Sequence, residues 1–167
     1  GMASTFAGCN AALMGTRMGM NTYAAILVAV LVGSIIGTLT GCIVTYLKIP
    51  AFIGSLGVQY VIQGLILITT NSMPINGLPE NFLFLGRGYL ADVIPVPVVI
   101  MAILFVIGAV LLRYTTFGRS VIAVGENQEA AKLSGLNVNR TKVLIFTIGG
   151  FCAALAGVVQ AARLSSG

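Results

Sequence analysis

Apolar positions along this chain run in long blocks, and the charged positions fall in short clusters between them. Residues 18–47, 49–79, 93–112 and 143–162 contain no Asp, Glu, Lys or Arg. Each interval meets or exceeds the roughly 18 residues at which an apolar run reads as a membrane-crossing helix. Within them the pattern predicts four spans, at about 24–47, 51–70, 94–112 and 143–162. The first holds twelve Ile, Leu or Val residues and no charge, which favours insertion by about 4 to 7 kcal/mol. The fourth is diluted by Gly149, Gly150 and Gly157 and needs neighbouring helices for its stability. Residues 1–23 read as an N-terminal tail or the end of a preceding span.

Composition excludes a water-soluble domain. Of the 167 residues, 57% are hydrophobic and 8% charged, against roughly 25% charged in an average soluble domain. Nine basic and four acidic side chains cannot cover a water-facing surface of this size. The expected fold is therefore all-α, a polytopic transmembrane helical bundle, with no room for a large catalytic domain.

The basic residues set the orientation. The connection over 113–142 carries Arg113, Arg119, Lys132, Arg140 and Lys142, whereas that over 71–92 carries only Arg87. The basic connection is expected on the cytoplasmic side. Alternating spans put Lys48 with it, and Arg17, Arg87 and Arg163 outside. The net charge of +5 is thus a topology signal, and no nucleic-acid partner is indicated. The 71–92 connection combines Pro74, Gly77, Pro79, Gly86 and Gly88 with Phe82, Phe84 and Tyr89, and is expected to form a compact cap with an aromatic anchor.

Catalytic and metal-binding patterns are missing from the sequence. It has no His, no Gly-rich loop ending in Gly-Lys-Ser/Thr, and no two carboxylates close together in a span; Cys9, Cys42 and Cys152 lack metal-ligand spacing. The chain is read as neither an enzyme nor a cofactor-binding protein. No charge lies mid-span, which weighs against proton-coupled transport.

The spans do carry small and polar residues at helical spacing. Gly33, Gly37 and Gly41 lie four apart, as do Gly149, Ala153, Gly157 and Ala161. Each set makes a smooth helix face for close packing. Ser55, Gln59 and Gln63 form a polar stripe on the second span. It suits either a route for an uncharged, hydroxyl-rich solute or hydrogen bonds between helices.

In the basic connection, Asn127 is a natural N-cap, Glu129 falls in a first turn, Lys132 lies toward the far end and Gly135 is a natural stop. This predicts a two-turn helix between two membrane helices. Alone it would be marginal in water, so it needs something to dock on.

Glu129-Ala130-Ala131 followed by Gly135 resembles the EAA-type loop of bacterial ATP-binding cassette importer permeases. Several neighbouring strings are similar to the ribose, xylose and galactose branch of that family: Thr116-Phe117-Gly118-Arg119, Ala123-Val124-Gly125-Glu126-Asn127, and Lys132-Leu133-Ser134-Gly135-Leu136-Asn137-Val138. So are Ile49-Pro50-Ala51-Phe52-Ile53, Ile94-Pro95-Val96-Pro97 and Ala153-Ala154-Leu155-Ala156-Gly157. The resemblance implies that residues 24–167 are part of a permease transmembrane domain, a central portion of a longer chain in the bacterial inner membrane. It implies that the short helix is a cytoplasmic coupling helix within a coupling loop over 113–142, touching an ATPase subunit through Gly118, Arg119, Glu129, Ala130, Ala131 and Gly135. It further implies a second permease copy, an external sugar-binding protein, and ATP used only by the partner subunit. The function expected on this resemblance is monosaccharide import. The alternatives are a passive channel or carrier using Ser55, Gln59 and Gln63, a branched-chain amino acid permease of related type, and a non-transporting membrane adaptor.

Overall fold

A computed structural model describes residues 22–70, 88–90 and 94–164. Residues 1–21 of the expected tail over 1–23, and most of the expected cap over 71–92, lie outside the described residues; the last two tail residues belong to the first helix. The elements are α1 (Thr22–Tyr46), α2 (Ala51–Thr70), two short antiparallel strands β1 (Tyr89–Leu90) and β2 (Ile94–Pro95), α3 (Val96–Tyr114), α4 (Thr116–Glu126), α5 (Gln128–Leu133) and α6 (Val138–Leu164). Four of these helices, α1, α2, α3 and α6, are long and apolar enough to cross a membrane.

The centre of the fold is α1 packed along α6. On α1 the buried face is small: Ala25, Ala29, Gly33, Gly37 and Gly41, each four residues from the last. The large residues Leu27, Leu31, Ile35 and Leu39 point out and are more than half exposed. This inverts the arrangement of a soluble helix, and lipid explains why. With hydrocarbon on both sides there is no gain in hiding Leu, so association comes from van der Waals contact between backbones that small residues let approach.

The approach leaves no room for side chains. A Cβ on Gly37 would lie 2.4 Å from the Phe146 carbonyl oxygen and 2.9 Å from the Gly150 Cα, and one on Gly33 would lie 2.4 Å from the Ala154 Cβ. On α6, Gly150, Ala154, Gly157, Val158 and Ala161 are buried, while Gly149 is exposed and has nothing within 4 Å of its Cβ position. The stripe read as Gly149-Ala153-Gly157-Ala161 is thus rotated by one residue over its first half. Two adjacent glycines leave the register ambiguous in sequence, and α1 selects the second.

α2 follows α1 after a connection of Leu47, Lys48, Ile49 and Pro50. Lys48 takes a φ of 53°, a left-handed conformation that costs a non-glycine residue about 1–2 kcal/mol. Pro50 then opens α2, its carbonyl accepting from the Gly54 N–H at 3.1 Å, while the proline ring keeps Ile49 extended. Gly54 lets α2 rest on Val44 of α1.

α6 begins at Val138, earlier than the charge-free interval 143–162 predicts. Asn137 is the reason: its Oδ1 accepts from the Arg140 N–H at 3.1 Å, an N-cap that fixes the start. α4 is an element the sequence reading did not separate from the loop. Its signals are Thr115 as N-cap and Phe117, Val121 and Val124 at helical spacing.

Candidate functional site

The basic connection folds as a chain of short rigid pieces: α3, an elbow at Thr115, α4, the Asn127 cap, α5, a glycine stop and α6. At the elbow the Thr115 hydroxyl donates to the Leu111 carbonyl of α3 and accepts from the Gly118 N–H of α4 at 3.1 Å. Gly118 is buried with its Cβ position 2.1 Å from the Leu112 carbonyl oxygen, so the two helices meet backbone to backbone there. Arg119 is exposed beside it.

Asn127 ends α4 and starts α5. Its Oδ1 accepts from the Glu129 and Ala130 N–H groups at 3.0 and 3.1 Å, satisfying two of the donors that a helix start leaves free. The stop is a paired-bond cap. The Leu136 N–H donates to the Ala131 carbonyl and the Gly135 N–H to the Lys132 carbonyl, each at 3.1 Å, with Gly135 at φ 81°. That is the left-handed position where glycine carries no Cβ penalty. Glu129 in the first turn and Lys132 in the last both favour the helix dipole.

Within α5, Ala131 is 4% exposed and anchors the helix against the rest of the connection. Glu129 and Ala130 are exposed, and so is Gly135. Leu133 is 90% exposed, the most water-facing large apolar residue of the connection. It was not among the candidate contact residues. Its place two positions after the buried Ala131 on a two-turn helix was the available signal. Lys142 Nζ donates to Gln128 Oε1 at 2.8 Å, tying the start of α5 to α6.

Lys48, from the α1–α2 connection, lines the same groove as Glu129, Lys132, Gly135 and Lys142. Three of the six basic residues expected on one side of the bilayer, Lys48, Lys132 and Lys142, thus share one groove. Ser55, Gln59 and Gln63 lie about one, two and three turns along α2 from Ala51 of this groove and are half-buried. The Ser55 hydroxyl donates to the Phe52 carbonyl within its own helix at 3.0 Å. Among the described residues no three His, Cys, Asp or Glu side chains gather as a metal site.

The whole chain, residues 1–167, matches the family model described as branched-chain amino acid transport system / permease component. The chain belongs to this permease family. The permease is 46% identical over 150 residues to the ribose import permease protein RbsC of Bacillus subtilis, covering 89% of this chain and 46% of that relative. It is 38% identical over 151 residues to RbsC of Escherichia coli K12, covering 88% and 47%. With the L-arabinose transport system permease protein AraH of E. coli K12 it shares 36% over 127 residues, 76% of this chain and 38% of the relative. It thus spans less than half the length of each of these relatives. No solved structure matches it. With four apolar spans and this family membership, the permease is a multi-pass protein of the bacterial inner membrane.

Proposed function

We propose that this chain is the membrane-spanning part of a monosaccharide importer of the ATP-binding cassette type, and that α5 is its coupling helix. The observation that carries the reading is α5 itself, a six-residue helix capped at both ends, anchored by Ala131 and clamped to a spanning helix by Lys142, with Ala130 and Leu133 turned to water. A helix this short is held only by its surroundings, and one held so firmly transmits a push to the spans on either side. The names of the ribose and arabinose relatives favour a sugar over an amino acid. The ATPase subunit would grip Glu129, Ala130 and Gly135, which are exposed, with Gly118 and Arg119 at the elbow that follows its motion. Ala131, expected at the contact, is buried and supports the helix from behind. A second permease copy and an external sugar-binding protein complete the importer, and the face of α2 bearing Ser55, Gln59 and Gln63 borders the route. The chain performs no catalysis of its own; ATP is spent on the partner subunit.

Copurification with the ATPase subunit from the same importer tests this. Glu129→Lys reverses a charge at the contact and is expected to weaken retention at least ten-fold. Gly135→Asp, at a φ that disfavours side chains, is expected to do the same while leaving the spans folded. Retention of the ATPase by both variants at the wild-type level would remove α5 from the contact.

A further inference from the structure

The basic end contains a groove beside α5, with Glu129 and Gly135 among its lining residues. It is open, about 1140 Å³, with the α1–α2 connection on one side and α5 and the start of α6 on the other. Lys48, Lys132 and Lys142 reach it from three separate elements, and Glu129 is the one carboxylate among its lining residues. Ala51, the first residue of α2, also borders it, and the positive end of a helix dipole favours an anion. Thr45 lines the groove too. It is 7% exposed, and its hydroxyl has no hydrogen-bond partner among the described residues, which is costly for a buried donor unless an acceptor comes to it.

A second groove, about 700 Å³ and almost wholly apolar, runs between α1 and α2 past Leu39, Ile43, Ile53 and Gly57. Ile49 lines both grooves, so the basic groove opens onto an apolar one that descends along two membrane helices. The junction lies where α1 ends at the exposed Tyr46, an aromatic of the kind that marks headgroup level.

We propose that the two grooves together hold one anionic phospholipid, its phosphate among Lys48, Lys132 and Lys142 and an acyl chain between α1 and α2. Charge complementarity selects the headgroup, and the apolar continuation selects a lipid over an acidic protein segment, which would have nothing to place there. A lipid in this position braces the α1–α2 connection against α5.

Native mass spectrometry of the purified chain, with phosphatidylglycerol, phosphatidylcholine or inorganic phosphate added, tests the site. One phosphatidylglycerol is expected to stay bound in preference to phosphatidylcholine, and inorganic phosphate is expected not to displace it. Lys48→Gln should weaken retention about five-fold, as expected for one lysine at an anionic surface, and Arg113→Gln, outside the groove, should not. Gly57→Phe adds a ring where nothing lies within 4 Å of the Cβ position, and should expel the chain without disturbing the fold. Equal retention of the two lipids would overturn the site, as would an equal loss in Arg113→Gln or displacement by inorganic phosphate. Loss of a protein partner from Lys48→Gln with phosphatidylglycerol still bound would reassign the groove to that protein.

Discussion

α1 and α3 are both uncharged through their apolar stretches and both long enough to span a bilayer, yet the structure treats them oppositely. In α1, 28% of the most apolar stretch is buried inside the molecule; in α3 it is 6%. α3 is the more apolar of the two, so hydrophobicity does not decide which helix packs. Small-residue spacing does. α1 presents Ala25, Ala29, Gly33, Gly37 and Gly41 along one line and meets α6 with it. Gly108 is the sole glycine of α3 and has nothing within 4 Å of its Cβ position; α3 is joined to the rest through β2 at one end and α4 at the other. In lipid, apolarity puts a helix in the membrane and smoothness gives it a partner.

The sharpest way to break that comparison is to insert the same side chain into both helices. Gly37→Leu would drive a Cβ to 2.4 Å from a backbone oxygen of α6. Backbone cannot step aside as a side chain can, so the cost is expected at the upper end of overpacking, about 3 kcal/mol. Gly108→Leu in α3 meets nothing and gains helix propensity, and is expected to be neutral or stabilising by up to about 1 kcal/mol. Thermal unfolding of the two variants in the same detergent checks this. Equal melting temperatures would mean that the α1–α6 contact contributes no stability.

Next in size is the elbow through which α3 keeps contact with α4. Gly118→Ala places a methyl 2.1 Å from the Leu112 carbonyl oxygen; prising the elbow open is expected to cost about 2 kcal/mol. Hydrogen exchange should rise over 111–126 and stay unchanged over 22–46, since α1 does not depend on this joint. A rise in both would show the two regions to be one cooperative unit.

The sequence made the spans and the short helix legible for different reasons. Span positions follow from the absence of charge, which needs no knowledge of packing. α5 was readable because its stop and start signals are local: Asn127 bonds to N–H groups two and three residues away, and Gly135 takes its φ where the chain turns. What was not legible depends on contacts between distant residues. Gly149 and Gly150 look alike until α1 chooses one. The start of α6 at Val138 was hidden because Arg140 and Lys142 broke the apolar pattern, although Asn137 carries the cap. Thr116–Glu126 went unread as a helix because its apolar stripe of Phe117, Val121 and Val124 is shorter than the spans on either side.

The Asn127 cap comes third. Asn127→Ala removes the acceptor of two N–H groups and is expected to cost about 1 kcal/mol, seen as faster exchange at the Glu129 and Ala130 amides. Asn127→Asp keeps the acceptor and should restore protection. If the aspartate variant exchanges as fast as the alanine one, the cap is not what orders α5.

The smallest expected effect probes a polar side-chain contact between α1 and α6. Thr38 Oγ1 lies 2.9 Å from Thr147 Oγ1, and each hydroxyl is also 2.9 Å from a carbonyl of its own helix, Ser34 for one and Val143 for the other. Two hydroxyl protons serve three close oxygen contacts, so at any moment one hydroxyl donates across the interface and the other donates back to its own helix. A hydrogen bond of this kind between membrane helices contributes about 0.6 kcal/mol, because each hydroxyl keeps its own carbonyl as an alternative partner. Thr38→Val, Thr147→Val and the double variant, compared by unfolding in detergent, should give a coupling near that value. The double variant should then lose far less than Gly37→Leu. A coupling of several kcal/mol would instead make the hydroxyl pair, and not the glycine face, the reason that α1 packs along α6.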